Sequence, residues 1–268
     1  MIPIKEYVAL KKEELSKKVS LLSKTPTLEI IQVNDDYASN TYIKGKIKDC
    51  EEIGAKAILK KLPTDISQND ILKIVEEANN DPMINGFIVQ LPLPKQINEE
   101  VIKKAIKPEK DLDGFNPLSK FISATPKGIL TYLEDQNFEF SGKNALVIGR
   151  SNIVGKPMAK ILLTKDMTVT IAHSKTPLKV LKSLVKNADL IIVAVGQSKF
   201  LNRDVFDFNK DSYIIDVGIN RDENNKLTGD CEPNLPVYFQ SPVPGGVGLL
   251  TRLALLINLL EASEEYGF

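Results

Sequence analysis

The chain has 268 residues, of which 43% are hydrophobic and 26% charged, proportions that are ordinary for a folded protein and argue against disorder. Its 35 Lys and Arg residues balance 35 Asp and Glu residues, so no net field favours nucleic acid or an anionic membrane as partner, and we expect a small substrate. The first residues lack a signal-peptide core and no apolar run approaches the roughly 18–20 residues of a membrane span, which predicts a cytoplasmic protein.

The first part of the chain alternates β-branched runs with helical patterns and predicts the order βαβαβα. The strand patterns are TLEIIQV, AKAILKKL and GFIVQLPLP, and the helical patterns are SNTYIKGKIKDCEEIG, QNDILKIVEEANND and NEEVIKKAI. A loop rich in Pro, Asp and Gly follows, KPEKDLDGFNP, and TPKGILTYLEDQ then predicts a helix. We expect a domain boundary in this region.

From residue 144 the alternation resumes, with strands in NALVIG, MTVTIA, LIIVAV and YIIDVGI and helices from about Val154 and in PLKVLKSLVKNA. Such continuous apolar strands are typical of parallel sheets covered by helices on both faces. SPVPGGVG predicts a rigid turn, and LLTRLALLINLLEASEEY predicts an amphipathic helix that returns to the first domain. The sequence therefore predicts an α/β protein with two parallel-sheet domains, residues 1–117 with 253–268 and a Rossmann-like domain of residues 118–252.

The segment GRSNIVGKP, residues 149–157, lies where a dinucleotide-binding loop would lie, between a strand and a helix. Its glycines, Gly149 and Gly155, do not have the spacing of the common fingerprint. Backbone N–H groups between Gly149 and Val154 would suit a pyrophosphate at the positive end of the helix. An ordinary strand-to-helix turn is an equally good interpretation of this loop by itself.

The strand MTVTIA ends without the carboxylate that NAD-binding domains use to hold the ribose hydroxyls. Ser174 follows that strand, and together with Arg150 it could accept a 2′-phosphate, which favours NADP over NAD. His173 is the only histidine, and a lone histidine at a strand end is more often a packing residue than a catalytic one. With the distant Cys50 and Cys231, which we expect to be free thiols in a reducing compartment, it makes no credible zinc site.

A second group of polar residues lies in the first domain. Ser39, Tyr42 and Lys46 are three and four residues apart, so their side chains share one helix face near the strand ends. Gln90 follows a buried strand, and Asp113 lies in the glycine loop DLDGF. An amide, a carboxylate, a lysine and a flat ring at neighbouring strand ends would form a polar pocket around a heterocycle. The alternative for Lys46 is a solvated position in a lysine-rich helix.

Ten segments of the chain are informative as a set: YASNTYIKGKIKDCEEIGAKA, NGFIVQLPLP, KDLDGFNP, TPKGI, GRSNIVGKPMAKILL, VTIAHSKT, NADLIIVAVGQ, IIDVGIN, GDC and SPVPGGVG. Together they resemble the bifunctional methylenetetrahydrofolate dehydrogenase and methenyltetrahydrofolate cyclohydrolase (FolD) family. They follow the family order over nearly the whole chain, and their combination is far more specific than any single glycine motif.

The resemblance implies an NADP-dependent enzyme of one-carbon metabolism that acts on tetrahydrofolate derivatives and forms a homodimer. It implies that Tyr42 packs on the folate ring, Lys46 is the catalytic lysine, Gln90 positions that lysine and Asp113 binds the pterin edge. The other implied substrate contacts are Ser39, Leu91, Pro242, Gly245 and Gly246. The implied cofactor contacts are Gly149, Arg150, Ser151, Ile153, Val154, Ser174, Gly196 and Ile219.

Five positions depart from the family pattern. Asn116 replaces a histidine, Ala124 a cysteine, Asn34 a glycine, and Leu249 and Leu250 a proline and a methionine. All four implied catalytic residues are retained, so the departures concern the loops around the cleft. Two other hypotheses stay open: a dehydrogenase with weak or absent cyclohydrolase activity, and a nucleotide-binding scaffold that has lost catalysis.

Overall fold

A computed structural model describes residues 1–265 of the chain. These residues form two compact units. The first unit comprises Val8–Ala124 and the chain from Arg252, and the second comprises Met1–Tyr7 and Thr125–Thr251. Residues 266–268, which the sequence assigns to the first domain, lie outside the described residues. No helix within the described part of the chain is long and apolar enough to cross a membrane.

The described residues contain eight helices and ten strands. The helices are α1 (Ile4–Val19), α2 (Tyr37–Glu52), α3 (Gln68–Asn80), α4 (Glu99–Ala105), α5 (Ala124–Asp135), α6 (Gly155–Thr164), α7 (Leu178–Asn187) and α8 (Val247–Glu265). The strands are β1 (Thr27–Gln32), β2 (Lys56–Lys61), β3 (Gly86–Val89), β4 (Asn144–Ile148), β5 (Thr168–Ala172), β6 (Leu190–Val193), β7 (Tyr213–Asp216), β8 (Asn220–Arg221), β9 (Leu227–Thr228) and β10 (Phe239–Gln240).

The first unit contains a parallel three-stranded sheet in the order β2-β1-β3. The central strand β1 is buried along its whole length, including its polar residues Thr27, Glu29 and Gln32. Helix α2 begins after Asp36, whose carboxylate accepts the N–H of Ser39 at 2.9 Å. This cap replaces a hydrogen bond that the first turn of a helix lacks. The cap thereby fixes the start of α2 next to the carboxyl end of β1.

The second unit contains a parallel five-stranded sheet in the order β10-β7-β6-β4-β5. From β4 the chain goes to β5 on one side and then to β6 on the other, so the strand order reverses at β4. Ligands of such open sheets bind at the carboxyl ends of the strands beside this reversal. Apolar clusters that contain residues of β4 and β6 form the two described cores of this unit.

The predicted α/β fold with two parallel sheets is confirmed. The last helix, α8, contributes to the first unit from Arg252 onward, where the buried Asn258 Nδ2 donates to the carbonyls of Leu112 (2.8 Å) and Ile122 (3.2 Å). The sequence analysis missed three short strands: the antiparallel pair β8–β9, and β10 at one edge of the second sheet. Each has only two residues, too few to show an alternating pattern.

Candidate active site

Lys46 lies at the centre of a buried polar cluster in the first unit. Its side chain is 5% exposed, and Nζ donates a hydrogen bond to Gln90 Oε1 at 3.1 Å across 44 residues of sequence. The alternative of a solvated lysine is therefore wrong. Gln90 Nε2 donates in turn to the Leu91 carbonyl at 2.7 Å, which fixes the orientation of the amide. The Lys46 ammonium also lies 5.0 Å from the ring centroid of Tyr42.

The electrostatics of this cluster favour uncharged groups. Burial lowers the pKa of Lys46, against the opposing attraction of the Asp113 carboxylate. Burial likewise raises the pKa of Asp113, against the attraction of Lys46. Each charge partly compensates the desolvation of the other. At Lys46 the effect of burial is the larger one, so the neutral amine is reached at lower pH than in an exposed lysine.

Ser39 lies one turn before Tyr42 on α2 and is 5% exposed. A side-chain hydrogen bond with Ser39 is the main cause that lowers the pKa of Asp36, and the Asp36 carboxylate also accepts the backbone N–H of Ser39. The serine is thus part of the cap of α2, and it shares the face that Tyr42 and Lys46 occupy. The structure brings Tyr42, Gln90 and Asp113 together around Lys46 in the first unit, as the spacing predicts. Ser39 lies on the same helix, and Leu91, a contact implied by the resemblance, accepts the Gln90 amide.

The glycine turn after β4 is shaped by a close approach of backbone. Gly149 has φ +130°, and a Cβ there would lie 2.4 Å from the carbonyl oxygen of Ala194, the residue that follows β6. Only glycine fits at this position. The turn is closed by Ser151, whose Oγ accepts the N–H groups of Val154 (3.1 Å) and Gly155 (3.4 Å). The half-buried Ile153 and Val154 complete the turn into α6.

Two exposed polar side chains share the edge beside this turn. Ile148 of β4 pairs with Ala172 of β5, so Arg150 and Ser174 each follow the paired positions by two residues. Among the described residues no ion-pair partner of Arg150 occurs. This edge fits a dinucleotide: a strand end that only glycine can occupy, the positive end of α6 and an available cation.

His173 stabilises a turn. Its backbone N–H donates to Thr176 Oγ1 at 3.0 Å, and its Nδ1 accepts the N–H of Lys175 at 3.2 Å. The ring is therefore engaged in local hydrogen bonds of the second unit. In the described part of the chain no group of three or more His, Cys, Asp or Glu residues could hold a metal ion.

Two buried aspartates organise the loops at the same edge, and the sequence analysis did not single them out. Asp230 accepts backbone N–H groups from Val195 (2.7 Å), Gly196 (3.0 Å) and Gln197 (2.8 Å). Asp216 accepts those of Gly218, Asp230 and Cys231, each at 2.9 Å. Burial raises the pKa of Asp216, while these donors oppose the shift. A usable signal was present, because both aspartates lie in segments that carry the family resemblance, IIDVGIN and GDC.

The remaining predicted residues lie around this carboxylate network. Gly196 follows β6, and Ile219, which is 65% exposed, follows β7. Pro242 and Gly245 are exposed and Gly246 is buried, in the segment that joins β10 to α8. A groove of about 720 Å³ in the second unit adjoins this segment and is lined by Asp216, Pro242 and residues of β9, among others.

Asn116, the departure from the family pattern that lies nearest to Asp113 in sequence, is a structural residue. Its Nδ2 donates to the carbonyls of Lys104 (3.3 Å) and Ile106 (2.7 Å) at the end of α4, and its Oδ1 accepts the N–H of Leu118 at 2.9 Å. An amide supplies the two donors and one acceptor that this arrangement needs. Asn116 therefore holds the loop that carries Asp113 against α4.

Two other departures also have local partners. Asn34 Nδ2 donates to the Pro92 carbonyl at 2.7 Å, which links the end of β1 to the turn after β3. The N–H of Ala124, the first residue of α5, donates to the Asp113 carbonyl at 3.2 Å. Both contacts support the loops around the lysine cluster.

The fold and the two groups of polar residues define a two-domain α/β protein of the dinucleotide-dependent enzyme class. One sheet has an edge that fits a dinucleotide, here called the nucleotide edge, and a buried lysine lies beside the other sheet. Comparison with known families is more specific. The sequence profile of the tetrahydrofolate dehydrogenase/cyclohydrolase catalytic domain matches residues 2–113, and that of the corresponding NAD(P)-binding domain matches residues 123–266. The chain belongs to the tetrahydrofolate dehydrogenase/cyclohydrolase family, as the resemblance predicts.

Individual relatives agree with this assignment. The chain is 43% identical to the bifunctional protein FolD of Listeria innocua, over 98% of this chain and 94% of the relative. The crystal structure of the bifunctional FolD enzyme of Campylobacter jejuni is similar with a TM-score of 0.93, at 37% identity and 98% coverage of both chains. The FolD of Trypanosoma brucei, solved with NADP and an inhibitor, has a TM-score of 0.92 at 28% identity, covering 99% of this chain and 97% of that one.

Proposed function

We propose that the chain oxidises 5,10-methylenetetrahydrofolate to 5,10-methenyltetrahydrofolate with NADP and hydrolyses that product to 10-formyltetrahydrofolate. The two family domains together match nearly the whole chain, residues 2–113 and 123–266, which supports two linked activities rather than a retained fold alone. The hydrogen bond between Lys46 Nζ and Gln90 Oε1 carries the proposal, because it orients a buried amine in the polar cluster where we propose that the folate binds, and an oriented amine can transfer a proton.

The residues of the first unit orient the folate in this scheme. Tyr42 offers its ring to the face of the pterin, and Asp113 offers a carboxyl group to the pterin edge. NADP, when bound, supplies the hydride acceptor of the first reaction. Since hydride transfer needs no acid or base from the protein, positioning dominates this step and the lack of a catalytic histidine is no obstacle.

The second reaction requires proton transfer. Water adds to the methenyl carbon, and the C–N bond of the resulting adduct breaks as the leaving nitrogen gains a proton. Lys46 Nζ can accept a proton from the attacking water and return one to the nitrogen. Burial lowers the pKa of Lys46, so the neutral amine is accessible at lower pH than in an exposed lysine. Gln90 holds the amine in place by its oriented oxygen.

The nucleotide edge supports NADP rather than NAD. Arg150 and Ser174 leave adjacent strands at corresponding positions, and the next residue after Ser174 is another cation, Lys175. A 2′-phosphate carries nearly two negative charges and gains most from such a group. Gly149, Ser151, Ile153, Val154, Gly196 and Ile219 complete the proposed cofactor contacts. Pro242, Gly245 and Gly246 are proposed substrate contacts.

Two further proposals are that the enzyme works in the cytoplasm and that it forms a homodimer, the second of which rests on the family resemblance. Light scattering in solution tests the second, because it separates a 29.7 kDa monomer from a particle of twice that mass. The proposed domain limits remain residues 1–117 with 253–268 for folate and residues 118–252 for NADP.

The decisive experiment uses Lys46→Met, with the exposed Lys44→Met on the same helix as matched control. We expect Lys46→Met to abolish conversion of methenyl- to formyl-tetrahydrofolate and to leave NADP affinity intact, since Lys46 lies in the first unit. Lys44→Met should retain both activities.

The two half-reactions are followed spectrophotometrically with NADP and NAD in parallel. Methenyl accumulation in the wild-type protein without formyl product would support the hypothesis of a dehydrogenase lacking cyclohydrolase activity. Absence of any NADP reduction would support the inactive scaffold. Cyclohydrolase activity of Lys46→Met equal to wild type would refute the role of the lysine.

A further inference from the structure

A second cation lies close to the lysine cluster, on α8. The guanidinium of Arg252 occupies the space above Gly45, the residue that precedes Lys46 on α2. A Cβ at position 45 would lie 1.8 Å from Arg252 Nη1, nearer than any real contact allows. Glycine inside a helix is unfavourable relative to alanine. Here the missing side chain leaves the space that the Arg252 guanidinium fills.

Asp49 holds the guanidinium in this position. Arg252 Nε lies 2.9 Å from Asp49 Oδ2, an ion-pair contact, and the aspartate side chain is 4% exposed. Lys12 of α1 contacts Asp49 Oδ1 and reaches Glu52 Oε2 at 2.6 Å. The buried carboxylate is thus compensated from two helices, and Arg252, whose side chain is 21% exposed, is anchored on one side. Gly45 and Asp49 are four residues apart and share one face of α2.

Charged and titratable groups face Lys46 from three elements. Asp113 approaches from the loop after α4 and favours the ammonium form, Arg252 approaches from α8 and opposes it, and Cys50 lies one turn later on α2. Burial raises the pKa of the Cys50 thiol to about 12, so it stays uncharged near neutrality. Arg252 is therefore the one positive group that acts on the lysine in this set.

We propose that Arg252 is a positioning residue of the lysine cluster. Asp49 holds the Arg252 guanidinium in the space that Gly45 leaves open, where it repels the Lys46 ammonium and so favours the reactive neutral amine. This inference rests on the proposed role of Lys46 in the cyclohydrolase reaction. Under this proposal Arg252 of α8 lowers the proton affinity of Lys46 on α2, in addition to its packing role.

The test compares cyclohydrolase pH profiles of the wild type, Arg252→Met and Arg252→Lys. Removal of the positive charge should move the acid limb of kcat upward by roughly 0.5–1 pH unit, because a lost repulsion stabilises the ammonium. At the wild-type midpoint, activity should then fall about 2- to 5-fold. Arg252→Lys keeps a cation and should restore most of the profile.

Gly45→Ala is a second, charge-neutral variant. Its methyl group must displace the guanidinium, so we expect a shift in the same direction as in Arg252→Met. A purely structural role of Arg252 would lower the dehydrogenase and cyclohydrolase rates together by a factor that does not vary with pH. A contact of Arg252 with an anionic part of the folate would raise KM and leave the acid limb unmoved. Either result would overturn the inference.

The inference and the proposed function fail in different ways. If Lys46→Met keeps cyclohydrolase activity, the role of Lys46 is wrong. If Lys46→Met is inactive and neither Arg252→Met nor Gly45→Ala moves the acid limb, only the role of Arg252 is wrong.

Discussion

Asp111 offers a quantitative test of the electrostatics around the first sheet. Its side chain is fully buried; Oδ2 accepts the N–H of Asn116 at 2.7 Å, and Oδ1 has no hydrogen-bond partner among the described residues. Burial raises the pKa of Asp111 to about 6, and the nearby Asp113 carboxylate adds to the shift. In Asp111→Asn, the amide oxygen can keep the bond to Asn116, and the variant removes the buried charge without changing the shape.

The sign and size of the effect follow from proton linkage. The folded protein keeps the Asp111 proton up to about pH 6, whereas the unfolded chain releases it near its ordinary value of 3.8. The wild type therefore loses stability as the pH rises from about 4 to 6, and the loss is complete above that range. The two pKa values correspond to about 3 kcal/mol at most. Asparagine does not titrate, so the variant avoids this loss.

We expect Asp111→Asn to match the wild type near pH 4 and to be more stable by up to about 3 kcal/mol at pH 7.5. Urea unfolding at both pH values measures the difference, in which the contributions of all other titrating groups cancel. The exposed Asp65→Asn controls for the loss of one carboxylate from the net charge. A stability difference that is the same at both pH values, or a less stable variant at pH 7.5, would refute the assignment of a buried, poorly compensated carboxyl group.

Two predictions concern the second unit. Arg150→Ala should raise the KM for NADP about tenfold while affecting the KM for NAD less, because a charged hydrogen bond to the 2′-phosphate contributes roughly 1.5–3 kcal/mol. Ser174→Ala should likewise weaken NADP more than NAD. Equal losses for both nucleotides would contradict the proposed contacts with the 2′-phosphate. Asp230→Asn should lower the free energy of unfolding by roughly 2–4 kcal/mol, because an amide NH₂ cannot accept the buried N–H groups that the carboxylate oxygens serve. Thermal unfolding with and without NADP measures this loss, and an unchanged midpoint would count against the network.

Local periodicity predicts most of the fold because the helices and the longer strands span several turns or alternations. β6 is apolar throughout, and the structure buries every residue of it. It also buries every residue of β1, whose sequence TLEIIQ mixes apolar and polar residues. The sequence does not predict the pair β8–β9 or the edge strand β10, because a strand of two residues is too short to show a periodic pattern. Their pairing depends on neighbours that lie far away in the sequence, which a local pattern does not contain.

The lysine cluster was accessible from the sequence because parallel strands end at a common edge. Gln90 follows β3, and its N–H donates to the Ile31 carbonyl of β1, so a residue after β3 lies beside the start of α2. Contacts that join whole elements are different. Nothing in the sequence of α8 indicates that Arg252 reaches Gly45 and Asp49. The local sequence around Gly45 and Asp49 likewise gives no sign of a partner about 200 residues away.

The distribution of proton-transfer groups favours the proposed role of a lysine where a histidine is more common. The single histidine, His173, is held in a turn of the second unit by a hydrogen bond to its Nδ1. The first unit therefore has no group whose ordinary pKa lies near neutrality. Burial lowers the pKa of Lys46 and Arg252 acts in the same direction, while Asp113 limits the shift. The surroundings of Lys46 thus lower the proton affinity of the amine in the direction of that of an imidazole.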